Sequence, residues 1–193
     1  MGSEGYLLNQ FLCARTNKRT DEWGGSIQNR MRLAVEVVRR IRAAVGRDFI
    51  IMYRHSVLDL VEGGNTWAEV VTVARALEAA GVTILNTGYG WHEARVPTIV
   101  TSVPRAAFVD VTAKLKPHVA LPLVTTNRIN MPDVAEAVLA AMGEAGFDVT
   151  HLYGLTETYG PAVVNAWHEE WDALPPDERA PEEGPPGRAL PRA

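Results

Sequence analysis

The sequence predicts an α/β fold, a parallel sheet with helices packed on it, followed by an irregular, partly helical C-terminal stretch. Two observations carry this. Stretches with apolar residues at three- and four-residue spacing alternate with short continuous apolar runs, the pattern of βα units joined by crossovers. Polar residues cluster directly after each apolar run, which is where parallel α/β proteins place their chemistry.

Arg30 to Val45 reads as the first long helix. Met31, Ala34, Val35, Val38, Ile41 and Val45 recur on one face, and Gly46 ends it. Phe49 to Tyr53 is a continuous apolar run, expected to be a strand buried on both faces. Thr66-Trp67-Ala68-Glu69 opens a second helix that runs through Ala80 and stops at Gly81. Val82 to Asn86 is a second short strand, Pro104 to Leu115 a third helix and Leu121 to Thr125 a third strand. Pro132 starts a last helix that continues to Met142.

The groups following the three strands are Arg54-His55-Ser56, then Thr87-Gly88 leading to Trp91-His92-Glu93, then Thr126-Asn127-Arg128. Two arginines and a histidine at one end of a sheet suit an anionic ligand or an electron-rich ring. Each group reads equally well as the solvation of a loop.

Composition removes several function classes. Nineteen Lys and Arg against 23 Asp and Glu leave a net charge of −4, so a nucleic-acid partner has no whole-chain electrostatic support. A single cysteine, Cys13, excludes an internal disulfide framework and any multi-cysteine metal or iron–sulfur site within this chain. No metal centre is expected, and a reducing, cytoplasmic setting suits that cysteine usage. No apolar run has the length of a bilayer span, and Met1-Gly2-Ser3-Glu4 lacks the regions of a signal peptide. The charge is uneven. Residues 1–140 carry 16 basic and 13 acidic side chains, and residues 141–193 carry 3 and 10. Seven of the twelve prolines lie after residue 160. A composition break near residue 140 marks a boundary.

Five collinear stretches carry a resemblance. They are Gly2 to Leu12; Thr20-Asp21-Glu22-Trp23-Gly24-Gly25-Ser26 with Asn29-Arg30; Ile51-Met52-Tyr53-Arg54; Asn86 to Arg95; and Thr125 to Asn130. Over residues 1 to about 138 the chain resembles the Old Yellow Enzyme family of FMN oxidoreductases. The Gly-Trp-His-Glu-Ala-Arg stretch favours its 2,4-dienoyl-CoA reductase branch. The resemblance implies a TIM barrel with FMN at the C-terminal mouth and NADPH as the reductant. It implies Tyr6 as proton donor to the substrate carbon and His92 as hydrogen-bond partner of the substrate carbonyl. It places Arg54 against the flavin ring, Arg128 with Asn127 near the cofactor and its phosphate, and Trp91 and Arg95 at an acyl-CoA substrate. The types suit the chemistry. Charge spreads into a conjugated thioester on reduction, which calls for a donor at its oxygen and an acid at carbon.

Against that family pattern, Met1 aligns with an internal residue just after the fourth strand, and the eighth strand is unmatched. About half a barrel is expected, with open sheet edges favouring self-association and weak or absent FMN binding by the chain alone. Trp23 and Trp67 are expected to serve packing, Gly63-Gly64 a turn, and Cys13 to be an inert small hydrophobe.

Residues 139–180 read differently. Phe147 to Pro161, with Tyr153-Gly154-Leu155-Thr156-Glu157 at its centre, and Ala166 to Pro175 resemble the adenylate-forming acyl-CoA synthetases. That likeness implies an AMP site from Tyr153 at adenine, Thr156 at phosphate and Glu157 at magnesium. Residues 181–193, rich in Pro, Gly, Glu and Arg, are expected to form a disordered tail. For one choice of codons, a one-nucleotide frame shift over Ala180 to Arg192 yields the basic segment with which such synthetases continue. The expectation is a composite reading frame. Its function is that of a reductase-derived fragment. The alternatives are an AMP- or acyl-CoA-binding synthetase piece and a non-catalytic half-barrel that associates with itself.

Overall fold

The computed structural model describes residues 2–144, 146, 152–155 and 160–164. Two compact units divide the chain, Met1–Arg128 and Ile129–Ala193. The first holds helices α1 (Leu7–Leu12), α2 (Ile27–Arg30), α3 (Arg32–Val45), α4 (Trp67–Ala80) and α5 (Val109–Leu115). It also holds strands β1 (Met52–Leu58), β2 (Ile84–Tyr89) and β3 (Leu123–Val124), which form one parallel sheet in sequence order. Consecutive strands pairing in parallel, with a helix in each connection, make this an α/β partial barrel, as expected.

Helix α4 is delimited by its sequence. Thr66 Oγ1 accepts from the Glu69 N–H at 3.3 Å, and the Glu69 carboxylate accepts from the Thr66 N–H at 2.9 Å. Gly81, at φ +103°, ends the helix in the left-handed region that favours glycine. Val70, Val73, Ala74, Leu77 and Ala80 form its buried stripe, facing Ala34, Val35 and Val38 of α3 in one core. Ile41 and Val45 share the α3 period but remain exposed, a correction to the expected core. Arg42 in that last turn instead donates to the Gly81 and Phe49 carbonyls.

The strands depart from their expected bounds. Phe49 and Ile50 lie outside the sheet and are 58% and 66% exposed, while β1 starts at Met52 and runs through the polar Arg54-His55-Ser56. The physical reason is that its two faces meet different surroundings. Tyr53, His55 and Val57 are buried on the helix side, where His55 Nε2 lies 3.0 Å from the Val70 carbonyl oxygen of α4. Leu85, Thr87 and Tyr89 continue that face on β2, and the Thr87 and Tyr89 hydroxyls both bond Thr112 of α5. On the opposite face Arg54 pairs in register with Asn86, and Met52 with Ile84. Met52 is 42% exposed there, so this face is only partly covered.

β2 likewise runs past Asn86, to Tyr89. The third helix is shorter than expected. Ala106 adopts φ +57°, and helical structure starts only at Val109. The core of the third strand pairs over Leu123–Val124 alone.

In the second unit, α6 (Pro132–Glu144) forms where the sequence places its last helix. Strands β4 (Leu152–Leu155) and β5 (Gly160–Val164) pair antiparallel. Tyr153 lies on β4. Thr156, Glu157 and the expected disordered tail at 181–193 lie outside the described residues.

Candidate active site

A cleft of about 460 Å³ opens beside the sheet, lined by Tyr6, Arg54, Trp91, His92 and Asn127 among others. Four chain segments build it: the approach to α1, Arg54 of β1, the end of β2 with the loop after it, and Asn127 after β3.

Tyr6 is the N-cap of α1, at φ −76° and ψ 175°, and is half-exposed. Its hydroxyl lies 2.9 Å from His92 Nε2, and the two rings meet edge to face with centroids 5.2 Å apart. The His92 backbone N–H donates to the Glu4 carbonyl at 3.4 Å. The cleft therefore presents an O–H and an imidazole nitrogen side by side, a pair able to pass and hold a proton.

Arg54 projects from β1 toward the cleft. Its Nε and Nη2 reach Glu4 Oε1 at 2.8 and 2.7 Å, and its Nη1 donates to Asn86 Oδ1 at 2.7 Å. Glu4, held at φ +56° and bonded by the Ser3 hydroxyl, also lines the cleft. Close approach is needed here. A Cβ on Gly88 would come within 2.7 Å of Ser3 Cβ and 2.9 Å of Glu4 Oε1.

The other expected residues divide. Asn127 lines the cleft, in left-handed backbone at φ +65°. Trp91 is a buried wall whose indole N–H donates to Asp59 at 3.0 Å. Arg95 is exposed and is not among the lining residues. Arg128 turns aside, with Nε donating to the Val103 carbonyl at 2.8 Å and Nη2 to that of Thr101 at 3.4 Å. Cys13 is free and buried. Its thiol donates to the Gly63 carbonyl, and burial pushes its pKa up. Trp23 lies under the Arg32 guanidinium, and Trp67 lies against Lys114 and His118.

Glu4, Asn86 and Asp59 escaped the sequence reading. Each is tied to the cleft by a partner tens of residues away, so no local spacing announces that tie. The only signal for Glu4 was its place two residues before Tyr6 in the motif.

The donor set fits a flavin ring. The Arg54 guanidinium and the Asn127 carboxamide on the cleft wall complement the carbonyl-rich edge of an isoalloxazine, while Arg54 Nε, Nη1 and Nη2 already bond Glu4 and Asn86. Arg128, which the resemblance places near the FMN phosphate, has two donors taken by carbonyls.

Residues 1–147 match the NADH:flavin oxidoreductase / NADH oxidase family. The chain belongs to that family, a class of flavin-dependent oxidoreductases on a TIM-barrel scaffold. A metal reductase from Desulforamulus reducens is 43% identical over 147 residues, covering 76% of this chain and 22% of the relative. The structure of a 2-naphthoyl-CoA reductase bound to 2-naphthoyl-CoA superposes with a TM-score of 0.68 at 37% identity, covering 71% of this chain and 21% of that one. An acetate–CoA ligase from Humulus lupulus is 39% identical over 111 residues, covering 55% of this chain and 18% of the ligase. The chain thus spans about a fifth of the length of the curated relatives it matches.

Proposed function

We propose that residues 1 to about 138 carry the proton-donor side of the active site of an FMN-dependent reductase acting on conjugated enoyl- or dienoyl-CoA thioesters, with NADPH as the reductant. The observation that carries this reading is the Tyr6–His92 pair at 2.9 Å on the wall of a cleft that also holds Arg54. The likeness to a 2-naphthoyl-CoA reductase supports a thioester of a conjugated acid as the substrate class.

Arg54 and Asn127 would hold the flavin, which when bound supplies the hydride. In the free site Tyr6 and His92 satisfy each other. A substrate carbonyl entering between them takes their hydrogen bonds, so that His92 polarises the oxygen while Tyr6 faces the carbon to be protonated. The Glu4 carboxylate fixes the plane of Arg54 through two contacts on one oxygen. Trp91, its polar end held by Asp59, keeps one wall apolar.

The test holds the full chain in FMN at a concentration high enough to offset weak binding, reduces it anaerobically with NADPH and adds a 2,4-dienoyl-CoA, with free FMN under the same conditions as the blank. Reoxidation of the flavin absorbance at a rate set by the dienoyl-CoA concentration is expected. Flavin that stays reduced overturns the reading.

A second reading, nucleotide binding by residues 139–180, rests on the resemblance of Tyr153-Gly154-Leu155-Thr156-Glu157 to the acyl-CoA synthetases, and the similarity of 55% of the chain to an acetate–CoA ligase is compatible with it. It expects ATP or AMP to raise the unfolding temperature without flavin, and an unchanged temperature overturns it.

A further inference from the structure

Asp59 follows β1 directly and is 4% exposed, yet no cation is recorded against its carboxylate among the described residues. It is instead surrounded by neutral donors. Oδ1 accepts from Asn9 Nδ2 at 3.3 Å, Ser56 Oγ at 2.6 Å and Trp91 Nε1 at 3.0 Å. Oδ2 accepts from the Asn65 backbone N–H at 2.7 Å and from its Nδ2 at 3.0 Å. Five neutral donors converging on one buried carboxylate compensate its desolvation without an ion pair. They also tie together segments that lie 32 to 50 residues apart.

Two of these ties lead to the acid pair. Through Trp91 the carboxylate fixes the residue before His92, and the Trp91 backbone N–H donates to the Asp59 carbonyl at 3.0 Å as well. Through Asn9, which is wholly buried, it reaches the residue before Tyr6, since Asn9 Oδ1 accepts from the Gly5 N–H at 2.9 Å. The two routes close on each other. Gly5 lies at φ +82°, and a Cβ there would come within 2.9 Å of the Trp91 ring. Gly5 and Trp91, the immediate predecessors of Tyr6 and His92, are therefore packed together by bonds that start from one side chain.

We propose that Asp59 is the positioning residue for the Tyr6–His92 pair. It sets the separation of the two groups from behind, touching neither. Its catalytic meaning rests on the reductase reading, but the geometric statement does not.

The test uses the full chain with neither flavin nor substrate. The nitrogen-15 shift of His92 Nε2 at one fixed pH reports its bond to Tyr6, and Tyr6→Phe gives the signal of the broken bond. Asp59→Asn keeps the shape and removes one acceptor oxygen. It is expected to move the signal in the Tyr6→Phe direction by at least half as far, and to add nothing in the Tyr6→Phe background. A folded Asp59→Asn with an unmoved signal overturns the proposal, because a residue serving stability alone would lower the unfolding temperature without touching that bond. If Asp59→Asn does not fold, Trp91→Phe decides, since it keeps an aromatic ring and removes the indole N–H. A displaced signal then supports the proposal and an unmoved one overturns it. Absence of dienoyl-CoA turnover would sink the reductase reading while leaving these shifts intact.

Discussion

The Tyr6 hydroxyl and the His92 imidazole lie 2.9 Å apart although 86 positions separate them in the chain. The pair stands at a cleft mouth, with Tyr6 half-exposed, so it is open to a substrate. Removing the phenolic O–H deletes the proposed acid while leaving the ring. In flavin-loaded protein, Tyr6→Phe is expected to slow reduction of a conjugated thioester by about 10²–10⁴-fold. Reduction of the flavin by NADPH should stay within about twofold, since general acid catalysis serves only the other half-reaction. Stopped-flow measurement of the two half-reactions separates these outcomes.

Gly88 controls the Glu4–Arg54 pair by leaving room for it. Added bulk would press on Ser3 and on the Glu4 carboxylate, which accepts two Arg54 contacts. Gly88→Ala is therefore expected to displace Arg54 from the cleft wall. Losing one well-placed charged hydrogen bond weakens FMN binding by roughly tenfold or more, read by quenching of flavin fluorescence. Unchanged affinity would show that Arg54 does not contact the flavin.

Arg30 is a buried charge outside the cleft. Its side chain is 4% exposed and pairs with Glu69, which also closes the capping box of α4. Glu69→Ala strips the guanidinium of its carboxylate partner, leaving it the Gly25, Leu12 and Asn65 oxygens, and removes the reciprocal half of the capping box while the bond from the residue-69 N–H to Thr66 Oγ1 remains. A loss of about 3 kcal/mol is expected in urea unfolding, since a buried charge without its counter-ion costs more than half a capping box. Thr66→Ala, which removes only one hydroxyl of the cap, should cost about 1 kcal/mol.

Helix ends were legible because their causes are local. Thr66, Glu69 and Gly81 announce the bounds of α4 within a few residues. The strands were legible only as apolar cores. Arg54 and His55 look like loop residues beside Phe49–Tyr53, but within β1 one faces the partly covered side of the sheet and the other the helix layer. Tyr6, His92 and Arg54, which the motif singles out, line one cleft, and Arg128, which the resemblance places near a phosphate, donates to the Val103 and Thr101 carbonyls. Glu4 and Asp59 were not legible, because the contacts that tie them to the cleft, Arg54 for Glu4 and Trp91 and Asn9 for Asp59, are remote along the chain.

His55 is expected to weaken the fold on the acid side. Its ring is buried, with Nε2 at the Val70 carbonyl oxygen and Nδ1 without a partner. Desolvation holds its pKa below the ordinary 6.5, against smaller opposing contributions from the Val70 carbonyl and the Asp59 charge. The unfolded chain therefore binds the proton first as pH falls. Stability from neutral His55 is complete above about pH 6.5 and declines below it, by up to about 1.4 kcal/mol per pH unit, until the folded state also protonates. The phenol of Tyr53, raised by burial, titrates far above this window. The Glu69 carboxyl, lowered from 4.5, acts only in more acid solution. His55→Gln should flatten the stability profile between pH 6.5 and 5 while lowering its plateau. Urea midpoints measured across that range check this, and a His55→Gln profile parallel to the parent's would rule out His55 as the source of the slope.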